Sequence, residues 1–131
     1  MKNAVDRLQR SVGQLVQSVA LQVVFFGLEQ QGEAGELLLS FESGLRFTFG
    51  CAGDGSVLVT TFDGEIGDAP HTSTTWRPIS EATGQLEKVF VKDSSIRLQI
   101  DGTLLAITND DDQMKVTLKG EALPKEVYQR G

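Results

Sequence analysis

The sequence predicts an α+β fold: a mainly antiparallel sheet of about eight strands, curved or forming a partial barrel, behind an N-terminal helix. Three observations predict it. Two turn signals are flanked by apolar residues that pair in register, short alternating runs recur between turn residues, and clear helical spacing is confined to the first twenty residues. At 131 residues, 1–131 reads as a single domain that can bury a core without a metal or disulfide.

In chain order, Val5, Leu8, Val12, Leu15, Val16 and Val19 follow the i, i+3, i+7 spacing of a one-faced helix. Asn3 can cap its start, Asp6 suits the first turn, and Gly13 is the natural stop. A strand is predicted at 18–27. The Gly- and Glu-containing stretch from Gly27 to Gly35 then reads as either an ordered hairpin or a loop. Around Glu42-Ser43-Gly44, a three-residue loop sets Phe41 against Leu45, Leu39 against Phe47 and Leu37 against Phe49. A slip of one residue would destroy that apolar face, which fixes the register.

A further strand is predicted at 56–62. From Asp63 to Gln85 runs the longest connection, of a length that usually carries function or minor structure. Within it Pro78 suits a first helical position, so 79–83 is expected to be a helical stub stopped by Gly84. Strands follow at 86–92 and 113–118. Between them Asp101-Gly102 predicts a two-residue type I′ turn, with Leu98 opposite Leu105 and Ile96 opposite Ile107.

These elements repeat in order. Gly13-Gln14-Leu15 recurs as Gly84-Gln85-Leu86, Leu37, Leu39 and Phe41 recur as Ile96, Leu98 and Ile100, and 54–60 is echoed by 111–117. Two readings fit: tandem copies of a helix-plus-strands unit, at about 1–62 and 78–120, or chance likeness between two β-rich halves.

Charge narrows the function. The net charge is −6 with a sequence pI near 4.7, which argues against direct nucleic-acid or membrane-surface binding. Residues 11–28 are uncharged but too rich in Ser, Gln and Gly to span a bilayer. One cysteine cannot form an internal disulfide, which fits a reducing, cytoplasmic setting. Residues 29–68 hold eight acidic side chains against Arg46 alone. Such a block can steer a basic partner, or it can serve as a solvated hairpin edge.

Chemical motifs are sparse. One Cys and one His cannot make a zinc site, and Asn109-Asp110-Asp111-Asp112 lacks the spaced ligands of a calcium loop and reads as a polar turn. Gly50, Gly53 and Gly55 sit at a strand–strand turn rather than before a phosphate-binding helix. No metal or cofactor is expected. Cys51 and His71 could pair as thiolate and base, but a small core residue beside an unrelated surface His is the simpler reading. Asp63, Glu65 and Asp68 form an acidic loop group. Trp76, beside Arg77, is either a binding anchor or a plug for one end of the core, the plug being favoured.

The run of a Gly-Gln-Leu step, a strand and a hairpin around Ser-Gly or Asp-Gly resembles small acidic α+β proteins of bacteria. It is carried by Gly84-Gln85-Leu86, Ile96 to Gly102, Leu105 to Ile107 and their first-half counterparts. Some of those proteins are immunity proteins that neutralise toxins, and the resemblance transfers no site residue. The leading expectation is therefore a non-enzymatic interaction module, an immunity protein or inhibitor, binding a basic protein. Its candidate contacts are Glu33, Glu36, Glu42, Glu65, Asp68, His71, Trp76 and Arg77. Two alternatives stand beside it: a ligand-binding or hydrolytic domain with its site between the 63–78 loop and Cys51, and a structural subunit of a homo-oligomer.

Overall fold

The computed structural model describes residues 2–62 and 73–130, and within them the α+β class holds, with a mostly antiparallel, unclosed sheet. Helix α1 (Lys2–Arg10) precedes β1 (Leu15–Phe25), β2 (Glu33–Phe41), β3 (Arg46–Cys51) and β4 (Val57–Phe62). After these come β5 (Ser73–Pro78), β6 (Gly84–Val91), β7 (Ser95–Ile100), β8 (Thr103–Asp110), β9 (Gln113–Leu118) and β10 (Glu121–Ala122). A 3-10 turn at Lys125–Tyr128 follows. Among the described residues the strands thus number ten rather than about eight, the additions being β5 and β10.

The sheet runs β10-β9-β8-β7-β6-β1-β2-β3-β4, and β5 also pairs with β1. Strand β1 is therefore shared. Its first residues pair with β6, as Leu15 with Gln85 and Val16 with Gly84, and its second half pairs with β5. Two half-sheets result, β5-β1-β2-β3-β4 and β6 to β10. Their inner faces meet in one core that includes Leu21, Leu39, Phe47, Leu98, Leu105 and Ile107, all fully buried. Phe41 and Phe47 pack edge to face there, with ring centroids 5.9 Å apart.

Both predicted hairpins form in the predicted register. Leu39 faces Phe47 and Leu37 faces Phe49; Leu98 faces Leu105 and Ile96 faces Ile107. Asp101 and Gly102 have φ of 47° and 80°, the positive pair that a type I′ turn needs. Asp111 and Asp112 repeat it with φ of 53° and 63°. The four-residue polar cluster is thus a hairpin turn, and Asn109 Oδ1 accepts the Asp112 N–H at 2.9 Å.

The N-terminal helix is shorter than its apolar spacing predicts. It ends at Arg10, and residues from Leu15 on are strand. A β-bulge between Val16 and Ser18 explains the misleading pattern, because it separates the buried Val16 and Val19 by three residues instead of two. The predicted stub at 79–83 is instead a turn: Pro78 ends β5, the Ala82 N–H bonds the Ile79 carbonyl, and both side chains are buried.

Two contacts bind the halves at opposite ends. At one, the Gly-Gln-Leu triplets pair with each other: the Gly13 N–H donates to Leu86 O at 2.7 Å and the Leu86 N–H to Gln14 O at 2.9 Å. At the other, the buried Asn109 amide donates to Ala52 O at 3.1 Å and Ser56 O at 2.8 Å, joining β8 to the β3–β4 turn. Gly84 also needs its missing side chain. Its φ is +119°, and a Cβ there would lie 2.6 Å from Asp101 Cβ, whereas a Cβ on Gly13 (φ +98°) meets nothing. Gly13→Ala should thus cost only the backbone strain, about 1–2 kcal/mol, and Gly84→Ala clearly more. Urea unfolding of both variants checks this; equal losses would deny the steric role of Gly84.

Candidate functional site

The outer face of the first half-sheet gathers three of the residues singled out in the sequence. In a regular strand, residues three apart point to opposite faces, so Glu33 and Glu36 should diverge. They do not. The β1–β2 register shifts between Leu21–Leu37 and Val23–Ala34, leaving Gly35 and Glu36 together opposite Gln22. This bulge keeps Leu37 and Leu39 in the core below it and Gly32 and Ala34 packed inward above it. Glu33 and Glu36 both turn outward.

Gly35 makes the bulge sterically feasible. A side chain there would collide with Gln22 Oε1 and come within 3.0 Å of Val24 Cγ2, so Gln22 lies directly over the glycine. Trp76 is paired with Gln22 from the other side and shares its face. One row therefore runs Trp76, Gln22, Glu36 and Gly50 across four strands, with Val24 and Glu33 in the next row. Glu33 is exposed, and Trp76, Gln22, Val24 and Glu36 are half-buried. Trp76 does not plug the core; it stands on the outer surface.

The remaining candidates are dispersed. Glu42 sits exposed in the β2–β3 turn, at the far end of β2 from Glu33, about 27 Å away along an extended strand. Arg77 lies opposite Leu21 and so takes the inner side of β5, where its Nη2 donates to Gln129 O at 2.8 Å. Its Nε is buried without a partner among the described residues. Glu65, Asp68 and His71, with Asp63, lie outside the described residues. Sequence reasoning missed Gln22, Val24 and Gly35. The available signal was Gly35 itself, since a glycine inside a strand pattern often marks a bulge.

Among the described residues, the surroundings of Cys51 disfavour its thiolate. Cys51 is half-buried on the inner side of β3, three strands from Trp76 and on the opposite face, so the two line no common site. Burial pushes its thiol above the ordinary value of 9.0, and the negative charge of Asp112 pushes the same way. Among the described residues no group of three or more His, Cys, Asp or Glu side chains is arranged to hold a metal. Nor is any helix long and apolar enough to cross a membrane.

Two clefts open between the half-sheets. One, about 640 Å³, lies beside Val5 and Asp6 of α1 against β4 and the β6–β7 turn. The other, about 400 Å³, lies between Gln31–Ala34 and β9, beside Leu123 and Tyr128. No protein-family model, curated protein or solved structure matches this chain.

A raised thiol pKa leaves less thiolate at any given pH. Cys51 should therefore react with a disulfide reagent at pH 8 more slowly than an exposed peptide thiol, and Asp112→Asn should speed it modestly. A Cys51 faster than the free peptide would reverse that conclusion.

Proposed function

We propose that this chain is a non-enzymatic protein-interaction module that receives a basic partner on the face carrying Glu33, Glu36 and Trp76, in the manner of an immunity protein or inhibitor. The bulge at Gly35 and Glu36 is the observation that supports it. It turns two carboxylates to the side of an accessible tryptophan, where a regular strand would have buried or dispersed them. Acidic groups beside an aromatic anchor suit a basic, partly apolar surface, with the charges speeding encounter and the ring contributing affinity. Gly35 and Gly50 let the Gln22 and Glu36 side chains lie across the middle of the face, beside Trp76.

A second inference concerns origin. The meanders β1–β4 and β6–β9 read as tandem copies, from about 1–62 and 78–120. Matching registers support this: Leu39 with Phe47 and Phe49 with Val59 correspond to Leu98 with Leu105 and Ile107 with Val116. Each copy also carries a bulge early in its first strand, after Val16 and after Leu86.

The test is capture of partners from the protein's own cells at low salt, then titration of whatever basic protein is found. Glu33→Gln with Glu36→Gln should weaken binding about tenfold and flatten its salt dependence, and Trp76→Ala should cost at least as much. Glu42→Gln serves as the control and should bind as the parent does. A partner whose affinity ignores the double substitution would remove the electrostatic basis of the reading.

A further inference from the structure

The second half-sheet has an outer face of opposite character. Alternation sends Ile96, Leu98 and Ile100 of β7, and Leu105 and Ile107 of β8, into the core. The charged side chains that remain outside are mostly basic, with Asp110 among them. Lys88 faces Gln99 and Phe90 faces Arg97, while Lys92 leads into Ser95 through a backbone bond of 2.8 Å. Lys119 lies beside Leu104, its N–H donating to Leu104 O at 2.8 Å. Lys115 on β9 is held by Asp110 at 2.8 Å, but among the described residues Lys88, Lys92, Arg97 and Lys119 form no ion pair.

This face also has an apolar centre. Phe90 is 47% exposed, between Lys88 on its own strand and Lys92 just past the strand's end. With Leu104 it lines a shallow depression of about 340 Å³, whose other walls are Lys92, Ser95, Arg97 and Gln99. An aromatic ring half in water, with Lys92 and Arg97 lining its depression and Lys88 two residues before it, is unexplained by the fold, because buried core residues lie beneath it.

We propose that this face is a second docking surface, which takes a short acidic polypeptide segment anchored by an apolar side chain. It does not rest on the acidic face opposite. The spacing specifies the segment: Lys88 and Phe90 on β6, and Lys92 where its backbone bond to Ser95 continues the ladder, stand at two-residue intervals, about 7 Å apart. An extended segment has the same rise, so residues ordered acidic, any, apolar, any, acidic set each carboxylate over a lysine and the apolar group over Phe90. Arg97, one strand away, reaches the same carboxylates with a planar donor fork.

The rim of the face favours a short segment over a nucleic acid. Asp93, Asp101, Asp111 and Asp112 occupy the turns at both ends of these strands and are exposed. A long polyanion leaving the cationic patch would run into those carboxylates on a chain of net charge −6. A segment of five or so residues need not leave it.

The test uses the full chain and a fluorescein-labelled 13-residue peptide with glutamate and leucine alternating at odd positions and serine between them. Binding should be saturable and should weaken with salt. Lys92→Glu with Arg97→Glu should weaken it at least about tenfold, and Phe90→Ala several-fold. Glu33→Gln with Glu36→Gln should leave it unchanged, which separates this face from the first. The same peptide with lysine for glutamate should not bind. Three results would overturn the proposal: no binding of the glutamate peptide, equal or tighter binding of a 15-nucleotide oligothymidine, or a mass that grows with concentration until Lys92→Glu and Arg97→Glu return it to monomer. The last would assign the face to a second copy of the chain.

Discussion

The architecture depends on how strand β1 divides its free edge. Its first residues bond to the Gly-Gln-Leu segment of β6, and its remainder bonds to β5. A strand has only two edges, and β2 takes the other one along nearly the whole length. The halves can therefore be one continuous sheet only because β5 stops at Pro78 and the chain turns away before β6 begins. Gly13 and Gly84 sit where this division occurs, each with a positive φ that lets the chain enter the ladder at a sharp angle. The turn between the two partners buries Ile79 and Ala82 in the core and leaves Ser80 and Glu81 exposed.

Both outer faces follow from that division. Because the inner surfaces of the half-sheets are consumed by one shared core, each presents a single outer surface, and these two differ in chemistry. The first is set by a bulge that turns two glutamates outward beside Trp76; the second is set by plain alternation of basic and apolar residues. The turns carry Asp93, Asp101, Asp111 and Asp112, so the charges on the outer face around Phe90 are mostly basic even though the sequence of the second half is nearly balanced in charge.

What the sequence made legible was whatever is determined locally. Asp101-Gly102 and Glu42-Ser43-Gly44 fix their own turn geometry, and the flanking apolar residues agree with only one register, so both hairpins were readable. The helix was readable at its start and in its stop before Gly13, while the apolar spacing that runs on to Val19 misled, because a bulge at Gln17 imitates helical spacing in a strand. Strand β5 was missed since Ser73-Thr74-Thr75-Trp76-Arg77-Pro78 has no apolar alternation in its sequence and is strand by pairing with β1. The candidate face was legible in its parts but not as a whole. Glu33, Glu36 and Trp76 stood out as residue types, yet their convergence depends on a bulge and a pairing between segments some fifty residues apart. Arg77 stood out equally, and one residue's difference in position sends it to the opposite side.

The wiring around β1 also assigns an order to folding. Each hairpin closes a turn of two or three residues, and such closures cost little entropy and complete within microseconds. The ladder between Leu15 and Gln85 must close a loop of about seventy residues before its few bonds form, so it belongs late in the sequence of events. Until then the β1 edge that β5 and β6 will cover stands open, in a strand whose middle reads Val19-Ala20-Leu21-Gln22-Val23-Val24-Phe25. That is the stretch most able to pair with the wrong neighbour. The uncharged run at the front of this chain is therefore its principal aggregation hazard, and rapid capture of β1 by its own β2 hairpin is what guards it.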